Sequence, residues 1–110
     1  MYEKAIDGAL DIFGDKAMGL TQIIHQDLKK YYGAMQQAIK EQNVADAVLA
    51  AHSCKSICGL LNVPDAIEVV RQMEQISRDN DLDTYEKLFA EYTPIYTEIL
   101  AHLSHILDQE

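Results

Sequence analysis

The stretch from Asn43 to Pro64, NVADAVLAAHSCKSICGLLNVP, contains a whole helix with both of its ends encoded. Asn43 is a strong N-cap residue, because its side-chain oxygen can accept from an otherwise orphan amide in the first turn. The helix is expected to continue to about Leu61 and end in Asn62-Val63-Pro64, since asparagine tolerates a left-handed backbone and proline opens a new helix. With successive side chains about 100° apart, Ala47, Ala50, Ala51, Cys54, Ile57, Cys58 and Leu61 lie within about 60° of one direction. That stripe is the expected core face.

The segments on either side repeat the same period, and none alternates apolar and polar residues as a half-buried strand does. Tyr2, Ile6, Ala9, Leu10 and Phe13 form the stripe of a short first helix that stops at Gly14, with Asp15 available to cap the next. The second helix is expected from about Lys16 to Gln42, on Leu20, Thr21, Ile24, Leu28, Tyr31, Tyr32, Met35, Ala38 and Ile39. A fourth, Asp65 to Arg78, turns Ala66, Val69, Val70, Met73 and Ile76 inward and ends before the turn Asp79-Asn80-Asp81. The fifth runs from about Leu82 to Leu107 on Tyr85, Leu88, Phe89, Tyr92, Ile95, Tyr96, Ile99, Leu103 and Ile106. Pro94 falls opposite that stripe, so its missing hydrogen bond faces water and the helix bends without breaking. The expected fold is all-α: an antiparallel up-down four-helix bundle with a short additional N-terminal helix, residues 1–110 forming a single domain.

A chain of 110 residues can build one core and has no room for a catalytic domain plus a second module. Nine Lys and Arg against 18 Asp and Glu give a formal net charge of −9, which repels phosphate backbones and anionic headgroups. Nucleic acid and membrane are therefore not expected partners. Met1-Tyr2-Glu3-Lys4 lacks the basic flank and apolar run of a secretory signal, and no window resembles a membrane span, so the expected location is cytoplasmic. Cys54 and Cys58, four apart on a helix in a reducing compartment, are expected to stay reduced as small apolar residues.

His52 points roughly 160° away from the core direction of its helix. Around it on that outer face stand Ala45, Val48, Leu49, Lys55, Ser56 and Gly59. An outward face normally carries Glu, Lys and Gln, and this chain has many of them elsewhere. A glycine in mid-helix costs about 0.5–1 kcal/mol relative to alanine. Small residues at Ser56 and Gly59 leave room for another molecule to approach the imidazole; a surface histidine beside a tolerated glycine is the plain alternative. Other constellations fail on geometry. Cys54 and Cys58 point away from His52, so one tetrahedral ion cannot collect all three. His102 and His105 lack a second ligand pair and read as solvated, and His25 reads as a partly buried packing residue. Gly14–Thr21 has Leu20 where a phosphate-binding loop needs lysine. The Glu-x-x-His pairs of di-iron bundles and an accessible thiol nucleophile are missing too.

Ala51-His52-Ser53-Cys54-Lys55-Ser56, followed by Gly59 and the turn at Asn62, resembles the signature of histidine-containing phosphotransfer (HPt) domains. The similarity extends to Leu10–Asp15, the long second helix, the Met73-Glu74 pair and the acidic turn before the fifth helix. Asn62 stands where the family commonly has glycine, and Ser56 where glycine is most frequent. The resemblance implies a phosphocarrier of a two-component phosphorelay, in which His52 takes a phosphoryl group from an aspartyl phosphate on a receiver domain and passes it to another receiver. It implies response-regulator receivers and a hybrid sensor histidine kinase as partners, and Glu74 as the residue that approaches the imidazole and orients it.

The chemistry agrees with those roles. An exposed imidazole is largely neutral near pH 7 and has a lone pair to offer. Lys55, one turn along, disfavours imidazolium and offsets the charge of an arriving phosphoryl group. Phosphoryl transfer usually relies on a divalent metal, and the sequence offers no carboxylate cluster beside His52 to hold one. The chain is thus expected to bind no metal or other cofactor, with Mg²⁺ and the acidic pocket supplied by the receiver. It would act as a carrier without turnover, docking its partner on Val48, Leu49 and the nearby Leu60, and as a monomer. The alternative of a different class is a helical interaction module, or a receiver-docking regulator, that uses the same patch without covalent chemistry.

Overall fold

A computed structural model of the chain describes residues 1–76 and 82–109. Five α-helices follow in order: α1 (Glu3–Asp11), α2 (Ala17–Lys40), α3 (Val44–Leu60), α4 (Pro64–Glu74) and α5 (Leu82–Asp108), with a 3-10 turn at Gly14–Lys16 before α2. Among the described residues there is no strand. Helices α2 with α3, α3 with α4, α4 with α5, and α5 with α2 pack as neighbours, which closes an up-down four-helix ring. The molecule is a rod of 45 × 21 × 19 Å. Its long axis matches the length of α5 at about 1.5 Å per residue.

The ends of α3 form as the asparagines on either side of it suggest. Asn43 accepts from the Asp46 amide at 3.0 Å as the N-cap. Asn62 adopts φ +56°, and the amides of Asn62 and Val63 reach back to Gly59 and Cys58. That pattern satisfies the last carbonyls of a helix closed by a left-handed residue. The same closure ends α2 at Gln42, φ +57°, with Gln42 and Asn43 amides bonded to Ile39 and Ala38. Thus α2 stops at Lys40, two residues short of the expected Gln42.

Size complementarity fills the core. Ala47, Ala50, Ala51, Cys54 and Cys58 on the inner side of α3 are all buried, as are Tyr85 and Tyr92 of α5. The Tyr85 hydroxyl donates to the Ala47 carbonyl at 2.6 Å, and the Tyr92 hydroxyl meets the Cys54 sulfur at 3.2 Å. Both phenols are pushed up, first by burial. Tyr32 stacks on Tyr96 with ring centroids 4.0 Å apart and bonds Thr93 through its hydroxyl at 2.9 Å. Pro94 is inside α5 on its exposed side, as its position opposite the apolar stripe predicts.

Helix α4 is much shorter than its neighbours and leaves the C-terminal half of α5 uncovered. Helix α1 lies over that half. Ile6 and Leu10 are buried, Tyr2 donates to Asp65 at 3.1 Å, and Asp7 meets His102 at 2.7 Å. This corrects the reading of His102 as solvated: its side chain is only 13% exposed because α1 covers it. His25 is half-buried as expected and bonds Ser104 across α2 and α5 at 2.9 Å.

Three boundary expectations are corrected. Phe13 lies beyond the end of α1 and is 37% exposed, because the chain turns at Gly14, φ +53°, before Phe13 can face the core. Asp15 does not cap α2; it sits in the 3-10 turn through which the chain enters that helix, and the N-cap position falls to Lys16 with no side-chain bond. Helix α4 ends at Glu74, not at Arg78, as the chain leaves the helical path to bury Ile76. Arg78 and the expected turn Asp79-Asn80-Asp81 lie outside the described residues.

Replacing Tyr85 with Phe removes the hydroxyl that ties α5 to the backbone of α3 and keeps the ring. The expected loss is about 1 kcal/mol, the net value of one such hydrogen bond. Urea denaturation should show it as a lower midpoint with an unchanged slope, and an unchanged midpoint refutes the role given to this bond.

Candidate functional site

Tyr85 and Tyr92 set the rotation of α3 about its own axis, so what faces away from them faces out. His52 is in the middle of α3 with its side chain 63% exposed. Unlike the other helices, α3 has little polar contrast between its faces, and its outer side carries Leu49 at 62% exposure. Val44, Ala45, Val48, Leu49, His52, Glu74 and Ile76 line an open groove of about 500 Å³. Leu49 is also on the edge of a second groove, of about 310 Å³, shared with Tyr31, Ala34 and Ala50 between α2 and α3. It therefore forms an apolar ridge between two concave surfaces.

Glu74, the last residue of α4, meets His52 from the neighbouring helix. Its Oε1 lies 2.5 Å from His52 Nδ1 and its Oε2 lies 2.6 Å from Lys55 Nζ. A helix C-terminus is an unfavourable place for a carboxylate, because the macrodipole there is already negative. The two donors reverse that preference: hydrogen bonds from Lys55 and then from His52 hold the Glu74 carboxyl below the usual glutamate range. An ionised carboxylate can only accept, so Nδ1 carries the ring proton and the lone pair of a neutral ring is at Nε2. Among the described residues Nε2 has no hydrogen-bond partner. The arrangement is an oriented imidazole with its nucleophilic nitrogen directed away from its anchor.

The structure gathers His52, Lys55, Glu74, Val48 and Leu49 into one place. The ammonium of Lys55 is engaged by Glu74, a partner the sequence reading did not give it. Ser56 and Gly59 are exposed farther along the same face of α3. A Cβ built at Gly59 meets nothing within 4 Å, so no contact inside the chain requires glycine there. Leu60 does not join Val48 and Leu49. It lies eleven residues beyond Leu49, about 16 Å along the helix, and lines a separate groove with Lys4, Gly8, Ile12 and Phe13 of the α1 region. Ile76 is buried, as the sequence reading expected, but beyond the end of α4, and it also lines the groove beside His52, a role that reading did not give it.

Among the described residues no group of three His, Cys, Asp or Glu side chains is placed to hold a metal ion. Cys54 and Cys58 are free, buried, and 3.9 Å apart at sulfur. The hydrogen bond with Cys54, together with burial, pushes the Cys58 thiol up and leaves it unreactive.

The lowered pKa of Glu74 has a pH signature. Its contribution to stability is complete above the ordinary glutamate value of 4.5 and is lost as pH falls through the lower folded value. Wild type should therefore exceed Glu74→Gln in urea stability at pH 6, and the difference should shrink as the pH falls below 4.5. A difference that persists undiminished in acid refutes the ion-pair account.

A family model described as the Hpt domain matches residues 19–109, which is most of the chain and all but the first two residues of the four-helix ring described above. No curated protein and no solved structure matches the chain significantly. The matched span contains His52, Lys55 and Glu74 and leaves out α1. The chain belongs to the Hpt domain family.

Proposed function

We propose that this Hpt domain is a phosphocarrier whose acceptor is Nε2 of His52, taking a phosphoryl group from the aspartyl phosphate of one receiver domain and delivering it to another. The observation that carries this reading is the orientation of the ring: Nδ1 is fixed by Glu74 at 2.5 Å while the side chain stays 63% exposed. A nucleophile for in-line displacement needs that combination of fixed direction and open approach. Glu74 acts as the positioning residue, and its negative charge stabilises the positive charge the ring acquires as the bond to phosphorus forms. The logic is that of the carboxylate partner in a hydrolase triad.

The donor set around His52 is one imidazole, one carboxylate shared between two donors, and an ammonium. Such a set does not suit a divalent cation, which prefers several oxygens. Mg²⁺ is accordingly proposed to belong to the receiver, together with the acidic pocket that holds the aspartyl phosphate, and the chain needs no turnover of its own. The groove beside His52 and the ridge at Leu49 are the proposed docking surface for receivers and for a hybrid sensor kinase. Ser56 and Gly59 keep the approach low on the far side of the ring. Leu60, in its separate groove with Ile12 and Phe13, would contact only a partner that spans about three turns of α3 from Leu49. A monomer working in the cytoplasm completes the reading, since the histidine has to be free for successive partners.

Incubation with a phosphorylated receiver and Mg²⁺ should add one phosphoryl mass to the chain, labile in acid and stable in alkali, and the addition should be lost in His52→Gln. Receiver binding without such a mass would favour a docking module with no covalent chemistry and overturn the carrier reading.

Replacing Leu49 with Glu puts a charge on an exposed ridge and should change stability by no more than about 0.5 kcal/mol. Receiver binding and the transfer rate should both fall, with the α-helical circular dichroism unchanged. An unaltered transfer rate places docking elsewhere.

A further inference from the structure

Each oxygen of Glu74 carries one donor, His52 Nδ1 on Oε1 and Lys55 Nζ on Oε2. While the ring is neutral, the ammonium of Lys55 is the full charge that faces this carboxylate. Transfer changes that balance. The Nε2 lone pair attacks phosphorus, the bond from phosphorus to the donor's leaving group breaks with its electron pair, and Nδ1 keeps its proton. The ring thus becomes positive at the side held by Glu74, and the phosphoryl group adds negative charge at the opposite nitrogen. Two new charges of opposite sign appear beside an ion pair of opposite sign.

We propose that phosphoryl transfer exchanges the partners of this ion pair: Lys55 leaves Glu74 Oε2 for the phosphoryl oxygens, and Glu74 gives its whole charge to the phosphorylated imidazole. The inference rests on the reading of His52 as phosphoacceptor and adds a second state to it. Lys55 is built for the move. It stands three residues after His52 on α3, where Cβ atoms are about 5–6 Å apart, and its flexible stem ends in three donors. Its side chain is 38% exposed, so the ammonium can swing without disturbing the core. Glu74 is the stationary member, 20% exposed and anchored at the end of α4.

The exchange has a consequence for a carrier. The attraction between Lys55 and a phosphoryl group is reduced by the contact the lysine gives up at Glu74. The phosphorylated state is held less firmly than a free ammonium would hold it, which suits a group that has to be passed on. The resting pair also keeps Lys55 from attracting stray anions to Nε2 between transfers.

The test uses the full chain and potassium phosphoramidate, a small donor that requires no receiver. The side-chain ¹³Cε and ¹⁵Nζ resonances of Lys55 are recorded at pH 8 in wild type and Glu74→Gln, before and after phosphorylation. Before it, the substitution should shift the Lys55 signals; after it, that shift should be lost, because Lys55 no longer touches position 74. A shift of equal size in both states overturns the exchange, as does failure of phosphoramidate to modify His52. If Glu74→Gln does not fold, wild type decides alone: phosphorylation should move the Lys55 signals well beyond those of Lys16 at the start of α2, and equal movement overturns the proposal. The two readings fail separately. A chain that shows the exchange yet accepts nothing from phosphorylated receivers keeps this inference and loses the phosphorelay, whereas receiver-driven phosphorylation of His52 with an unmoved Lys55 does the reverse.

Discussion

The small inner face of α3 against the large aromatic face of α5 is the constraint on which the rest of the molecule depends. Ala47, Ala50, Ala51, Cys54 and Cys58 leave a trough that Tyr85 and Tyr92 occupy, and two hydroxyl contacts, to the Ala47 carbonyl and the Cys54 sulfur, fix the register. A larger residue in that trough would force apart helices packed at crystal-like density. Because the trough can face only inward, the opposite face of α3 is committed to solvent. His52 is therefore exposed by packing on the other side of its own helix.

The second constraint is electrostatic. In a chain of net charge −9, a carboxylate at the C-terminus of α4 is doubly disfavoured, by the surrounding charge and by the helix dipole. Lys55 and His52 hold it there, and in return the imidazole is given a tautomer and a direction. The three side chains belong to two helices whose connection, Leu61–Val63, is closed by the left-handed Asn62. The local turn chemistry at Asn62 thereby bears on the site, since it reverses the chain and directs α4 back along α3.

Function in this family, histidine phosphotransfer in phosphorelays, asks little of the carrier beyond a presented nucleophile and a surface to dock on. The described residues place one open groove beside the imidazole and one exposed apolar ridge at Leu49. Gly59 is informative in the same way. Its surroundings are open, so its cost in helix propensity is not offset inside the chain.

By itself the sequence determined the number and order of the helices, the core stripe of α3, both of its asparagine ends, the outward placement of Pro94 and the exposure of His52. These follow from a 3.6-residue period and from capping chemistry, which act over a few neighbouring residues. Only the tertiary structure decided what lies across from what. Helix α1 covers His102 because α4 is too short to do so, Leu60 faces α1 at a distance from Leu49, and Ile76 lines the groove beside His52 where a longer helix was expected. The sharing of Glu74 between Lys55 and His52 belongs to the same class. A contact between residues 52 and 74 depends on the axial register of two helices, and that register is set by packing against α2 and α5, which no local pattern in α3 or α4 encodes.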